Sequence, residues 1–265
     1  MSLQLLAEMN QRIGAVYGSE DLSMLLHALV KMQRPLTIVE LGTGMGVSAF
    51  WMAHAVKENG VGHVWTIDDA RHWRDVDARR ARCATLADHP CFRHAVADDP
   101  EFEAYIDRMS DLLGVRDQLT LLPRAIALDD PESFTAAQYP CFEQAIDLLF
   151  ADIAHSPAAI LAILGIFLPM MAPSSSLFID SASTFVPSYL ALEQTIAQLN
   201  HGKVPAGMLG RRRPDERAAF VELIASRRFT VMHLVETKPR AQNGTAWVKV
   251  EPVDVLPYPL TAMRC

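Results

Sequence analysis

Apolar residues recur at helical spacing over residues 3–16 and again over 20–33, where Leu22, Leu25, Leu26 and Leu29 mark one face. Pro35 ends that pattern. Short apolar runs follow: LTIVEL (36–41), HVWTID (63–68), QLTLLP (118–123), AIDLLFAD (145–152) and LFID (177–180). Helical stretches at about 47–57, 71–86, 99–113 and 188–200 lie between or after them. Strands that are apolar throughout predict a parallel sheet covered on both faces. The last two, FTVMHLVE (229–236) and TAWVKVE (245–251), are separated by about eight residues that include Asn243-Gly244. That is too short for a crossover and predicts an antiparallel hairpin. The pattern reads as an α/β chain with a doubly wound seven-stranded sheet, its last strand antiparallel and helices on both faces. It fits a single domain over 1–265, with N-terminal helices in 1–34 and a helix near 215–227 before the hairpin. The stretches 87–114 and 201–217 are candidate lids or dimer insertions.

One interval changes the picture. Between Asp152 and Asp180 lie 27 residues without a Lys, Arg, Asp or Glu, a length that invites a membrane span. Its interior argues otherwise. Ser156-Pro157 is a helix start, with serine as cap and proline in the first turn. Pro169, Pro173 and Ser174-Ser175-Ser176 read as a break before the short strand at Leu177. The interval is therefore expected to be a buried helix and a buried strand whose flanking aspartates reach one sheet edge.

Composition narrows the partners. A formal charge of −7 and a pI near 5.7 argue against nucleic acid, because phosphate binding wants a basic face. The one basic cluster, Arg211-Arg212-Arg213, reads as a solvated turn. Glu8 interrupts the N-terminal apolar stretch, so no signal peptide is read there. Cys83, Cys91, Cys141 and Cys265 have no regular spacing, and reduced thiols in a cytoplasmic protein are the expectation. Cys83, His89, Cys91 and His94 are a zinc candidate with an unfamiliar ligand spacing.

The chemistry starts at VELGTGMGVS (39–48). A strand running through Gly42, Gly44 and Gly46 into a helix lets a ligand approach bare amides at a helix N-terminus. Asp68 ends the second strand, where a carboxylate can accept from ribose hydroxyls, and Glu40 precedes the turn. With these residues and the closing antiparallel strand, the chain resembles the class I S-adenosylmethionine-dependent methyltransferases over about residues 20–250. A nicotinamide enzyme would prefer G-x-G-x-x-G, and the spacing here is G-x-G-x-G. Within the class it is similar to the catechol and caffeoyl-CoA O-methyltransferases. That resemblance implies S-adenosylmethionine as cofactor. It assigns Glu40, Gly42, Gly44, Gly46 and Ser48 to the donor's amino acid end and Asp68 to its ribose. The segment Pro123-Arg124-Ala125-Ile126 departs from the family's adenine pattern, so no adenine contact is assigned.

Asp152 ends the fourth strand, with His155 three residues on, and Asp180 ends the fifth. Neighbouring strand ends lie ~4.8 Å apart, so both aspartates would face one pocket. A histidine there can act as general base toward a hydroxyl nucleophile. The resemblance adds a metal reading. Metal-dependent members place an aspartate after each of these strands, and the D-x-x-H of Asp152 and His155 is similar to cephalosporin-type and macrolide-sugar enzymes. Ser181 stands where those families carry asparagine or an acid, and it is a poor ligand for a hard cation. Asp152, Asp180 and Ser181 are the candidate ligands for Mg²⁺ or another divalent cation. Trp51, Trp65, Trp73 and Tyr139 read as packing. The reading is O-methylation of a small-molecule hydroxyl in a natural product, sugar or phenol, by a cytoplasmic enzyme that forms no membrane contact. The alternatives are a metal-independent N-methyltransferase, an NAD-dependent Rossmann oxidoreductase and a catalytically idle scaffold.

Overall fold

The computed structural model describes residues 2–17, 20–130, 133–210, 212–235 and 244–253. Its seven strands are β1 (Thr37–Leu41), β2 (His63–Asp68), β3 (Leu119–Pro123), β4 (Ile146–Ala151), β5 (Met171–Asp180), β6 (Arg227–Val235) and β7 (Gly244–Pro252). They form one sheet in the order β3-β2-β1-β4-β5-β7-β6. The pairings from β3 to β5 are parallel, and β7 runs antiparallel to both β5 and β6. The turn expected at Asn243 lies outside the described residues, as do Arg211 and Cys265.

The helices are α1 (Ser2–Tyr17), α2 (Glu20–Gln33), α3 (Val47–Asn59), α4 (Arg71–Arg74), α5 (Val76–Ala87), α6 (Phe102–Leu113), α7 (Pro157–Phe167), α8 (Val186–Asn200), α9 (Ala206–Leu209) and α10 (Pro214–Ala225). Side chains alternate across the strands, so two cores form. Ile38, Val64, Leu148, Phe150 and Phe178 pack with α1, α2, α3 and α6. Val39, Leu41, Leu149, Leu177 and Ile179 pack with α7, α8 and α10 on the other face. Trp51, Trp73 and Tyr139 are buried within these cores. Among the described residues, no helix is long and apolar enough to cross a membrane.

Two boundaries differ from the expected ones. The helix expected over 71–86 is broken at Asp75, whose carboxylate accepts from Ala78 N at 3.0 Å and caps α5. The supposed break at Ser174-Ser175-Ser176 is part of β5. Met171 pairs with Ile146 and Ser176 with Leu148, so the intervening residues bulge out of the ladder. Ser175 Oγ closes the bulge on Ala172 O at 2.8 Å, and Ser176 Oγ donates to Gln33 of α2. Ser175 and Ser176 are buried with these partners, one within the bulge and one on α2, while Ser174 is exposed, so the triplet can be part of the strand.

Both candidate lid segments are packed onto the body. Phe92, Ala95 and Val96 are buried in the first core. Met208 is buried in the second, with its carbonyl against Gly165 of α7. Arg212, expected to be solvated, donates to the carbonyls of Met208 and Gly165 and stacks on Phe220 at 4.9 Å. Arg213 pairs with Glu216 at the start of α10.

Candidate functional site

Glu40 shares its strand face with Ile38, so period-2 alternation turns it toward α3 and away from solvent. There Ser48 Oγ, in the first turn of α3, and Thr66 Oγ1, its register partner on β2, both donate to its carboxylate. Thr43 Oγ1 lies 2.5 Å from Thr66 Oγ1 and extends the chain of hydroxyls. Burial pushes the Glu40 carboxyl up to about 8, against the two hydroxyl bonds that lower it, and the charges of Asp152 and Asp68 add to the rise.

The glycine turn that follows is shaped by two contacts. Gly42 has φ +90°, and a Cβ there would lie 2.3 Å from the Asp152 carbonyl oxygen. Glycine is therefore required where β1 and β4 leave the sheet side by side. Asp68 Oδ2 accepts from Thr43 N at 2.9 Å and Gly44 N at 3.2 Å, and Oδ1 accepts from Ala70 N at 2.7 Å. A carboxylate offers about four lone-pair sites, so this one is mostly engaged in holding the turn. A Cβ at Gly44 would meet nothing within 4 Å, which leaves open space over the turn.

His72 crosses the turn from α4. Its Nε2 donates to Gly44 O at 3.1 Å, and its Nδ1 stands 3.6 Å from Asp68 Oδ1. Burial holds its pKa below the ordinary imidazole value, opposed by Asp68. The sequence reading did not single out His72, Thr43 or Thr66. The i, i+4 spacing of Asp68 and His72 was an available signal, whereas the threonine pairing depends on strand register.

The second half of the site lies at the ends of β4 and β5. Asp152 N continues the ladder by donating to Leu41 O at 2.8 Å, which brings its side chain beside the glycine turn. One ligand atom each from Asp152, His155 and Asp180 lies within 4.8 Å of the other two. Asp180 is buried and accepts from Thr245 Oγ1 of β7 at 3.0 Å and from Ser181 Oγ at 2.9 Å. Ser181 itself sits at φ +56°, a left-handed backbone that carries strain in a non-glycine residue. Its hydroxyl thus serves Asp180, and His155 is the third group beside the two carboxylates. His155 Nδ1 stands 3.4 Å from Asp180 O, and Ser188 of α8 donates to the His155 carbonyl. With the proton on Nδ1, the basic nitrogen is Nε2.

Asp152 stays open to solvent beside the glycine turn. The surrounding protein still raises its carboxyl to about 7, and the Asp180 carboxylate next to it contributes most of the remaining rise. Glu40, Asp68, Asp152 and Asp180 thus put four carboxyl groups around one turn, two of them with raised proton affinity. Beyond Asp180, Ser183 Oγ lies 2.8 Å from His233 Nδ1, and His233 Nε2 lies 2.8 Å from Glu193 Oε1. This relay also escaped the sequence reading, because β6 and α8 meet only through the tertiary fold. The Cys83, His89, Cys91 and His94 set does not gather within ligand distance; His89 instead pairs with Glu8 at 2.9 Å.

Comparison with known proteins gives the architecture its family. A family model described as a methyltransferase domain matches residues 39–182, more than half of the chain. No curated protein matches. Among solved structures, the cofactor-bound Rv0187 from MTB superposes with a TM-score of 0.51 at 14% identity, covering 95% of this chain and 90% of that one. The SAM complex of the O-methyltransferase TomG from Streptomyces achromogenes, involved in tomaymycin synthesis, is 21% identical with a TM-score of 0.48, over 95% and 90% of the two chains. An O-methyltransferase from Bacillus cereus in complex with SAH is 17% identical with a TM-score of 0.48, over 94% and 89%. At 14% identity the likeness to Rv0187 speaks for the fold alone. The strand order with its inserted antiparallel β7 is that of the class I S-adenosylmethionine-dependent methyltransferases, and the family match leaves no place for the nicotinamide alternative. The chain belongs to the methyltransferase domain family.

Proposed function

We propose that this chain transfers a methyl group from S-adenosylmethionine to the hydroxyl oxygen of a small molecule at the Asp152–His155–Asp180 cluster. The observation that carries the reading is the position of that cluster, its ligand atoms within 4.8 Å of one another and directly beside the glycine turn. The donor is a cation twice over, at its sulfonium and its ammonium. A turn ringed by Glu40, Asp68 and Asp152 suits it, because burial and then neighbouring negative charge raise two of these carboxyls, and a bound cation offsets the cost of ionising them. Glu40 and Ser48 take the amino acid end, Gly42, Gly44 and Gly46 let the donor lie close to the backbone, and the remaining acceptor site of Asp68 meets the ribose.

On the acceptor side, His155 Nε2 takes the hydroxyl proton while Asp152 and Asp180 orient the hydroxyl oxygen toward the methyl group. Alignment supplies most of the acceleration, since the sulfonium is already activated. The same three side chains fit a divalent cation. One imidazole beside two carboxylates suits Mn²⁺ or Zn²⁺ better than Mg²⁺, which prefers all-oxygen sets. When bound, such a cation would acidify the coordinated hydroxyl. Ser181, whose hydroxyl is committed to Asp180, is then a positioning residue for that carboxylate.

The test is methyl transfer from isotopically labelled S-adenosylmethionine to a panel of phenols, sugars and amines, before and after EDTA treatment. Labelled ether products support the reading. Labelled amines at full rate in EDTA establish a metal-independent N-methyltransferase instead. Donor binding without turnover on any acceptor marks an idle scaffold.

A further inference from the structure

A second group of side chains able to ligate a metal lies away from the Asp152–His155–Asp180 cluster, between α2 and α3. His54 and Glu58 stand one turn apart on α3 and face His27 of α2. The edges of the triangle they form are 3.3 Å (His27 Nε2 to His54 Nδ1), 3.5 Å (His27 Nε2 to Glu58 Oε2) and 4.0 Å (His54 Nδ1 to Glu58 Oε2). A tetrahedral ion with bonds of about 2.0–2.1 Å has corners about 3.3–3.4 Å apart. Two edges already match that spacing, and the third closes by rotation of the Glu58 side chain, which is 36% exposed. We infer that His27, His54 and Glu58 bind a divalent transition metal of the zinc class, with solvent in the fourth position.

The surroundings suit the ligand set. Two imidazoles with one carboxylate favour Zn²⁺ and its neighbours over Mg²⁺ or Ca²⁺. Both imidazoles are largely buried, their side chains 14% and 5% exposed, and burial favours the neutral ring that ligates a metal. His27 is oriented from behind by an edge-on contact with Trp51, at 5.5 Å between ring centroids. Trp51 Nε1 is fixed in turn by Asn10 Oδ1 at 3.0 Å. The ion must replace the hydrogen bond between the two rings, and two cations oppose it: the Lys31 ammonium, 3.4 Å from Glu58 Oε2, must turn away to solvent, and Lys57 adds positive charge near His54. The bound metal would tie α2 to α3, the helix that carries Ser48 into the donor turn.

The test titrates Co²⁺ and Zn²⁺ into the D152N/D180N double variant, which removes both carboxylates of the other cluster. One equivalent of Co²⁺ is expected, with the visible bands of a four-coordinate ion, together with a zinc-dependent rise in Tm. In that background His54→Ala abolishes binding. Because His54 is buried and its loss can disturb folding, Glu58→Gln is the second variant. It is expected to weaken binding by at least about tenfold with unchanged circular dichroism. Lys31→Met is expected to tighten binding by removing the competing cation. The inference is overturned if the double variant shows no four-coordinate Co²⁺ spectrum, or if Glu58→Gln and Lys31→Met leave the affinity unchanged. Failure here leaves the methyl-transfer reading intact, since the two clusters share no residue.

Discussion

Glu40 is a carboxyl group held in the core by two hydroxyls, and its proton affinity ties stability to ligand binding. Its folded-state pKa, about 8, lies above the ordinary value, so the folded ligand-free protein holds a proton that the unfolded chain releases near pH 4.5. The associated stability is full at low pH and is lost as pH rises toward 8. Glu40→Gln keeps the shape and removes the proton. Thermal denaturation of the ligand-free variant at pH 8.5 should therefore give a Tm a few degrees above wild type, at roughly 2–4 °C per kcal/mol recovered, with no gain at pH 4.5. The same variant should bind S-adenosylmethionine more weakly. His155 is a residue of the reaction rather than of the fold. His155→Gln should lower kcat by about 10²–10⁴ with donor affinity unchanged, measured by steady-state kinetics and calorimetry.

At the scale of elements, what the sequence reveals depends on how local its cause is. The start of α7 was readable because Ser156 and Pro157 carry their own signal, and Ser156 Oγ accepts from Ala159 N at 3.2 Å. Ser156→Ala should cost about 1 kcal/mol in denaturant unfolding, and it should leave the carboxylates of Asp152 and Asp180 in place. The strand ends that deliver Asp68, Asp152 and Asp180 were readable for the same reason, since apolar runs stop at the acid. The beginning of β5 was not. Ser174, Ser175 and Ser176 look like a loop until the bulge supplies partners from Ala172 and Gln33, and Gln33 lies 143 residues from Ser176. The Ser183–His233–Glu193 relay and the meeting of His27 with His54 and Glu58 were hidden likewise. Each depends on elements meeting in space, and single-chain spacing does not encode that.

Across the whole molecule, the sheet order places the carboxyl ends of β1, β2, β4 and β5 along one edge, and the chain ends three of them in or beside a carboxylate. Such crowding costs stability in the ligand-free protein and favours any cation that enters. Both consequences come from one electrostatic cause, so they should appear together. The central claim is that this acidic turn is the seat of the cationic methyl donor. The most direct measurement is calorimetric titration of S-adenosylmethionine at pH 6, 7 and 8 in two buffers of different ionisation enthalpy. One donor should bind per chain, with affinity that rises with pH over this range and net proton release near pH 7 as Glu40 and Asp152 ionise around the sulfonium. Absence of binding, or binding with proton uptake and falling affinity toward pH 8, would contradict that claim.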